Sequence, residues 1–320
     1  MVNIMSNIAV VGLGAINVDF LYLVKEVVLD GEGPVDRVKA VPGGSAANTI
    51  YGLALLGIKT GFLGAVGDDE PGRACLKDFH QAGVDASRVK VKRGKETGLA
   101  LCLSDRAGKR SIYLSPGANS RLEPEDIDRD YLGQAGMVHL SSFVDDKQFD
   151  LQVELAAKLP PGVKISLAPG MLYAARGMKA LSPLLKRSEL LFINKDEIER
   201  LTGEDYVAGA KECLSQGCQI VVVTLGKGVK QARSGRVLTG YIRDRKGEYK
   251  VEPSASPPDR LETTGAGDAF AAGFLFGLLR GKRLEDCGRL GDTLAHFALS
   301  KIGAREGLPT LPALKKRLGG

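Results

Sequence analysis

The chain has 320 residues, 44% of them hydrophobic and 26% charged, and its 44 Lys and Arg against 38 Asp and Glu give a net charge of +6. Such a composition can bury a substantial core and excludes a disordered or fibrous chain. The basic surplus is small and scattered, which suits an anionic small ligand rather than a nucleic-acid groove, and "LKKRL" near residue 316 reads as a solvated helix face.

In chain order, "IAVVGLG" (8–14) is a first strand, and no basic segment or small-residue cleavage site marks a signal peptide before it. Residues 17–42 read as strand–turn–strand, followed by a helix over "SAANTIYGLALLG", a strand over "TGFLGAVG" (60–67) and a helix over "PGRACLKDFHQAG". Residues 97–117 again read as strand–turn–strand, with "DRAGKR" as the turn. Four further apolar runs follow, "MVHLSS" (137–142), "VKISLAPG" (163–170), "LLFINK" (190–195) and "QIVVVTLG" (219–226). Helical patterns stand beside them in "DKQFDLQVELAAKL" and "DYVAGAKECLSQG". Continuous apolar runs alternating with helices predict a mostly parallel sheet buried on both faces in an α/β fold. The two helix-free interruptions suit either a small separate sheet, placed to act as a lid, or edge strands that merely extend the main sheet. The longest apolar run, "AFAAGFLFGLL", is too short to cross a bilayer, so no membrane partner is expected.

The five cysteines, at 75, 102, 213, 218 and 287, contain no C-x-x-C and are odd in number, which predicts buried reduced thiols in a cytoplasmic protein. "VGLGAIN" (11–17) departs from a dinucleotide fingerprint, because Asn17 holds the third glycine's place and an extended segment follows. An NAD-binding oxidoreductase is therefore a distant alternative. A Walker A loop is absent.

The chemistry concentrates in "ETTGAGDAF" (262–270). Gly265, Ala266 and Gly267 can turn successive N–H groups toward one point at the head of a helix, which makes a hole for negative charge. Asp268 stands directly behind that hole. A carboxylate there can take a proton from a hydroxyl while the amides neutralise a transferring phosphoryl group. The competing reading is a glycine-rich turn with an Asp that merely favours the helix N-terminus. Gly43 and Gly44 precede a helix with Asn48 in its early turns, an arrangement open to sugar hydroxyls. Asn194 and Glu197 lie three apart at a strand-to-helix junction, and Thr224, Gly226 and Gly228 close another strand in a loop suited to phosphate or ribose.

Together "GGSAAN", "NKDE", "TLGKG", "ETTGAGDAF" and "KIGAREGLP" resemble the PfkB family of carbohydrate kinases, the ribokinase-like fold that also contains nucleoside kinases, over nearly the whole chain. The resemblance implies a three-layer α/β/α core from residues 1–16, 43–96 and 118–320, with a β-sheet lid from 17–42 and 97–117. It implies Asp268 as catalytic base, Gly265–Gly267 as anion hole, and Asn17, Asp19, Gly43, Gly44 and Asn48 around the sugar. Asn194 and Glu197 would organise magnesium, largely through water, and the ATP phosphates. Thr224, Gly226 and Gly228 would contact the nucleotide, Asp292 would lie near the adenine, and Glu262 would stand beside a possible potassium site. Ser45 and Ser141 depart from the Lys and Glu that ribokinases place around ribose. The expected activity is phosphoryl transfer from ATP to a sugar hydroxyl. A nucleoside acceptor is the alternative, and a homodimer through the lid is possible.

Overall fold

The computed structural model describes residues 8–28, 30–105, 110–231, 235–256 and 264–319. Strand β1 (Ile8–Leu13) is followed by β2 (Asn17–Val24) and β3 (Val35–Gly43), then α1 (Ser45–Leu55), β4 (Thr60–Gly67), α2 (Glu70–Ala82) and β5 (Asp85–Lys92). Next come β6 (Gly98–Asp105), β7 (Arg110–Ser115), α3 (Arg129–Gly133), β8 (Ala135–Ser141), α4 (Asp146–Lys158) and β9 (Lys164–Ala168). The chain continues through α5 (Gly170–Ala174), α6 (Gly177–Arg187), β10 (Ser188–Asn194), α7 (Lys195–Thr202), α8 (Tyr206–Ser215) and β11 (Ile220–Lys230). It closes with β12 (Val237–Asp244), β13 (Glu248–Val251), α9 (Ala266–Leu279), α10 (Leu284–Ala298) and α11 (Leu311–Leu318).

Nine strands form one sheet in the order β13-β12-β11-β10-β9-β8-β1-β4-β5. From β11 to β5 the neighbours are parallel, and β12 and β13 add an antiparallel edge. Alternation sorts the side chains to two faces, as a strand's period of two requires. Val11, Leu191 and Val221 pack with residues of α4, α6, α7 and α8, while Val10, Leu190 and Val222 pack with α1, α2, α9 and α10. The sheet is thus the middle of three layers. Helix α9 is buried from Ala269 through Gly277, which explains why its sequence is apolar all round.

Strands β2, β3, β6 and β7 make a separate sheet in the order β3-β2-β6-β7. Each expected strand pair is antiparallel, and β2 and β6 join them in parallel register, Asn17 beside Gly98. Leu21, Val41, Ala100 and Cys102 form its small buried cluster, against which Ile302 packs. Along the large sheet, successive strands step away from β1 on one side (β4, β5) and from β8 on the other (β9, β10, β11). The crevice beyond the carboxyl ends of β1 and β8 is therefore the topological switch point, where open α/β sheets receive ligands.

Candidate active site

Helix α1 starts at that crevice. Gly44, at its N-cap, has φ 98°, and a Cβ there would stand 2.1 Å from the Ala15 carbonyl oxygen. No L side chain fits. The helix receives its cap from another strand, because the buried Ser141 hydroxyl at the end of β8 accepts the Ala46 N–H at 3.0 Å. Ser141 thus serves the start of α1.

Helix α9 arrives opposite. Its N-cap is Gly265, with φ 78° and no side-chain cap, so the amides of the first turn lack helical acceptors. A Cβ on Gly265 would fall 2.4 Å from Ala304, which presses this turn against the loop after α10. Asp268 lies in that first turn, half-buried. Ser45 Oγ donates to its Oδ1 at 2.7 Å, Asn48 Nδ2 donates to its Oδ2 at 2.9 Å, and the Thr49 hydroxyl donates to its carbonyl at 3.3 Å. Burial pushes the Asp268 pKa up to about 6, against the pull of the Asn48 and Ser45 hydrogen bonds and the Arg305 charge. A carboxylate held near 6 is well matched to accepting a proton at neutral pH.

Arg305 has no counterpart in the sequence reading. It is only 7% exposed and lies over the rings of Tyr51 and Phe79. Its Nε donates to Asn48 Oδ1 at 2.9 Å, and its terminal nitrogens donate to Asp78 Oδ2 at 2.5 Å and the Gly43 carbonyl at 3.1 Å. The only sequence signal was a single Arg inside "GAREG", far along the chain from either glycine motif.

Asn17 and Asp19 are both buried at the start of β2. A Cβ on Gly43 would stand 2.2 Å from the Asp19 carboxyl, so the glycine admits that side chain. Asn119, also absent from the sequence reading, donates to Asn17 Oδ1 at 3.0 Å and exchanges hydrogen bonds with the Ile16 backbone. Asn17 pairs with Gly43 across β2 and β3, the Asn48 N–H donates to the Gly44 carbonyl, and Arg305 joins Gly43 to Asn48, which reaches Asp268, so these residues and Asp19 form one polar region.

Asn194 ends β10, and Glu197 stands in the first turn of α7. They form a capping box, in which the Asn194 N–H donates to Glu197 Oε2 at 3.0 Å and the Glu197 N–H donates to Asn194 Oδ1 at 2.8 Å. Burial raises the Glu197 pKa, the Asp268 charge raises it further, and Arg110 of β7 pulls it back. A carboxylate whose ionisation a second carboxylate opposes suits a cation nearby. Among the described residues no group of three or more His, Cys, Asp or Glu could hold a metal ion. Magnesium here would rest on one or two carboxylates, water and phosphate oxygens, its usual coordination.

Thr224 pairs with Asn194 across β10 and β11. Gly226 and Gly228, expected in a loop, lie within β11 where its register with β12 shifts between Thr224 and Val229. Asp292 spends its carboxylate elsewhere: the Thr239 hydroxyl and the Ser254 N–H each donate to it at 2.6 Å, tying α10 to the chain beyond β13. Glu262 lies outside the described residues. All five cysteines are buried and none is in a disulfide. No helix of the described residues is long and apolar enough to cross a membrane.

Comparison with known proteins identifies the family and the fold. The pfkB family carbohydrate kinase pattern matches residues 5–311. A sugar kinase of Archaeoglobus fulgidus, itself uncharacterized, is 39% identical over 81% of this chain and 98% of its own. A ribokinase of Haemophilus influenzae is 29% identical over 93% of this chain and 94% of its own. The structure of an Arabidopsis thaliana ribokinase complexed with ribose and ATP is 26% identical, covers 98% of this chain and 99% of that one, and superposes with a TM-score of 0.78. The ribokinase-like fold with its separate small sheet, and the match along nearly the whole length, make this chain a member of the pfkB family of carbohydrate kinases, phosphotransferases that act on hydroxyl groups.

Proposed function

We propose that this protein transfers the γ-phosphoryl group of ATP to a hydroxyl of a free sugar, with Asp268 as general base. The observation that carries the reading is the convergence of two helix starts: the uncapped first turn of α9 and the Ser45–Asn48 turn of α1 meet at one carboxylate. ATP is the phosphoryl donor, and Asn194 and Glu197 would hold a magnesium ion that would offset the phosphate charge.

The acceptor hydroxyl gives its proton to Asp268 as its oxygen forms a bond to phosphorus and the bond to ADP breaks. Ser45 and Asn48 hold both carboxyl oxygens, so the base meets the hydroxyl without reorganising. The amides of Gly265, Ala266 and Gly267 face the charge on the phosphoryl oxygens. Asn17, Asp19, Gly43, Gly44 and Asn48 line the acceptor side, and Thr224, Gly226 and Gly228 the nucleotide side. Asp292 supports the adenine side through the segment it anchors rather than by a free carboxylate. Residues 17–42 and 97–117 act as the lid, which keeps water from a base poised beside ATP. Exposed Val38 (54%) and Tyr113 (62%) on that sheet support dimerisation through it, which light scattering over a range of concentrations checks. Five buried thiols with no disulfide among them support a cytoplasmic setting.

The test is ADP release from the Asp268→Asn protein against a panel of pentoses, hexoses, deoxy-ketosugars and nucleosides. We expect kcat to fall by roughly 10²–10⁴ with ATP binding little changed. A near wild-type rate in Asp268→Asn removes the base. A response confined to nucleosides moves the acceptor to that class and leaves the chemistry in place.

A further inference from the structure

An Arg guanidinium can only donate hydrogen bonds, whereas an Asn amide has one accepting and one donating end. The contact from Arg305 Nε to Asn48 Oδ1 therefore fixes which way the Asn48 amide faces. Its NH2 end must point the other way, and it does, onto Asp268 Oδ2 at 2.9 Å. Asp268 is reached by a relay that begins at residue 305.

The relay is braced on every side. Asp78 of α2 and the Gly43 carbonyl take the remaining arms of the guanidinium, which lies 5.1 Å from the centre of the Tyr51 ring and 5.2 Å from that of Phe79. The residues next to it bind neighbouring parts of the site: Ala304 seats the Gly265 turn, and Glu306 pairs with Lys39 of β3 at 2.9 Å. One short loop thus touches the anion hole, the base and the small sheet together. A structural anchor alone would need the Asp78 pair and the ring contacts, and would leave the amide of Asn48 free to flip.

We propose that Arg305 is a positioning residue for phosphoryl transfer, which orients the Asn48 amide so that the Asp268 carboxylate is held ionised and aimed at the acceptor hydroxyl. The inference rests on Asp268 as the base. It deepens that reading by assigning the group that holds the base in place. Charged groups around Asp268 come from two further elements, Glu197 at the start of α7 and Arg305 in the loop after α10. Around Arg305 itself stand Asp78 and Cys75 of α2, Tyr51 of α1 and Glu306, and Asp19 of β2 and Asp69 act on the same Cys75.

The prediction has a sign that packing alone does not have. The full chain, labelled with ¹³C at the Asp carboxyls, is titrated by NMR, and the Asp268 signal is assigned by its loss in Asp268→Asn. The wild-type midpoint is expected near 6. Arg305→Met and Asn48→Ala should each raise it by about one unit, since each removes a group favouring the charged form. Millimolar guanidinium should lower it again in Arg305→Met, entering through the cavity lined by Tyr51, Asp78 and Leu308. Asp78→Asn keeps Arg305, removes its counter-charge, and should move the midpoint down. If Arg305→Met does not fold, the opposite shift in Asp78→Asn decides the matter. Unchanged midpoints in Asn48→Ala and Asp78→Asn overturn the relay. Those midpoints are read without turnover, so they are separate from the ADP-release test. Unimpaired turnover in Asp268→Asn removes the base itself, and the positioning role with it.

Discussion

The two sheets of this molecule are built from similar residues yet are held in opposite ways. Every residue of β4 and β8 is buried, because helices cover both faces of the large sheet. The small sheet has its own cluster of four buried apolar side chains with Ile302 packed against it, while Ile112, Tyr113 and Leu114 of β7 lie open. The large sheet therefore holds itself in shape, and the small one depends on what it rests against. Segments with few buried apolar contacts open at lower free energy than a core. A cover that must admit and release a ligand is drawn from that end of the range.

The sharpest way to break the comparison is to cut into both sheets. Phe62→Ala in β4 removes a fully buried ring packed against Phe79, and should cost about 3–5 kcal/mol in urea unfolding. Leu21→Ala in β2 should cost about 2 kcal/mol or less, at the low end of such truncations, because a thin sheet can settle onto the gap. Hydrogen exchange then separates the two further: amides of β2 and β6 should exchange faster in Leu21→Ala while those of β10 and β11 keep their protection. Equal losses in both variants, or protection lost everywhere at once, would mean that the sheets unfold as one unit.

Between the sheets, the carboxylate proposed as the base carries a stability cost of its own. The folded Asp268 pKa lies near 6, above its ordinary value of 3.8, so the folded protein holds this proton more tightly than the unfolded chain. Its favourable contribution is complete below about pH 4 and is lost as the pH rises through 6. Asp268→Asn should therefore melt at or above the wild-type temperature at pH 8 and lose that advantage at pH 4, while turnover stays low throughout. Smallest of all, Lys39→Ala breaks a half-exposed ion pair with Glu306 and should change stability by about 0–1 kcal/mol. Its effect should appear instead as faster exchange along β3.

Most of this architecture could be read from the residues because buried parallel strands leave continuous apolar runs. Strands β1, β4, β8, β9, β10 and β11 match such runs to within a few positions. Strand β5, an edge strand reading "DASRVKVK", carries no such run and was not anticipated. The two helix-free segments announced strand pairs, but nothing local specified that β2 and β6 would join them, since a pairing across 80 residues leaves no periodic trace. In the site, glycines and acids at strand and helix ends were legible because their backbone demands are local. Arg305, Asn119 and the cap from Ser141 were not, because each acts through a partner about 100 residues away or more. Gly226 and Gly228 misled in one respect: the glycine-rich spelling suits a loop, and the strand absorbs it as an irregularity.

The bond from Arg305 to Asn48 joins positions 257 apart. Contacts so distant along the chain form late and cannot be made by any fragment that stops short of the second partner. A ribosome releasing this polypeptide in order delivers α1, then Asp268, then Arg305. Until the last of these has emerged, nothing fixes which end of the Asn48 amide faces Asp268.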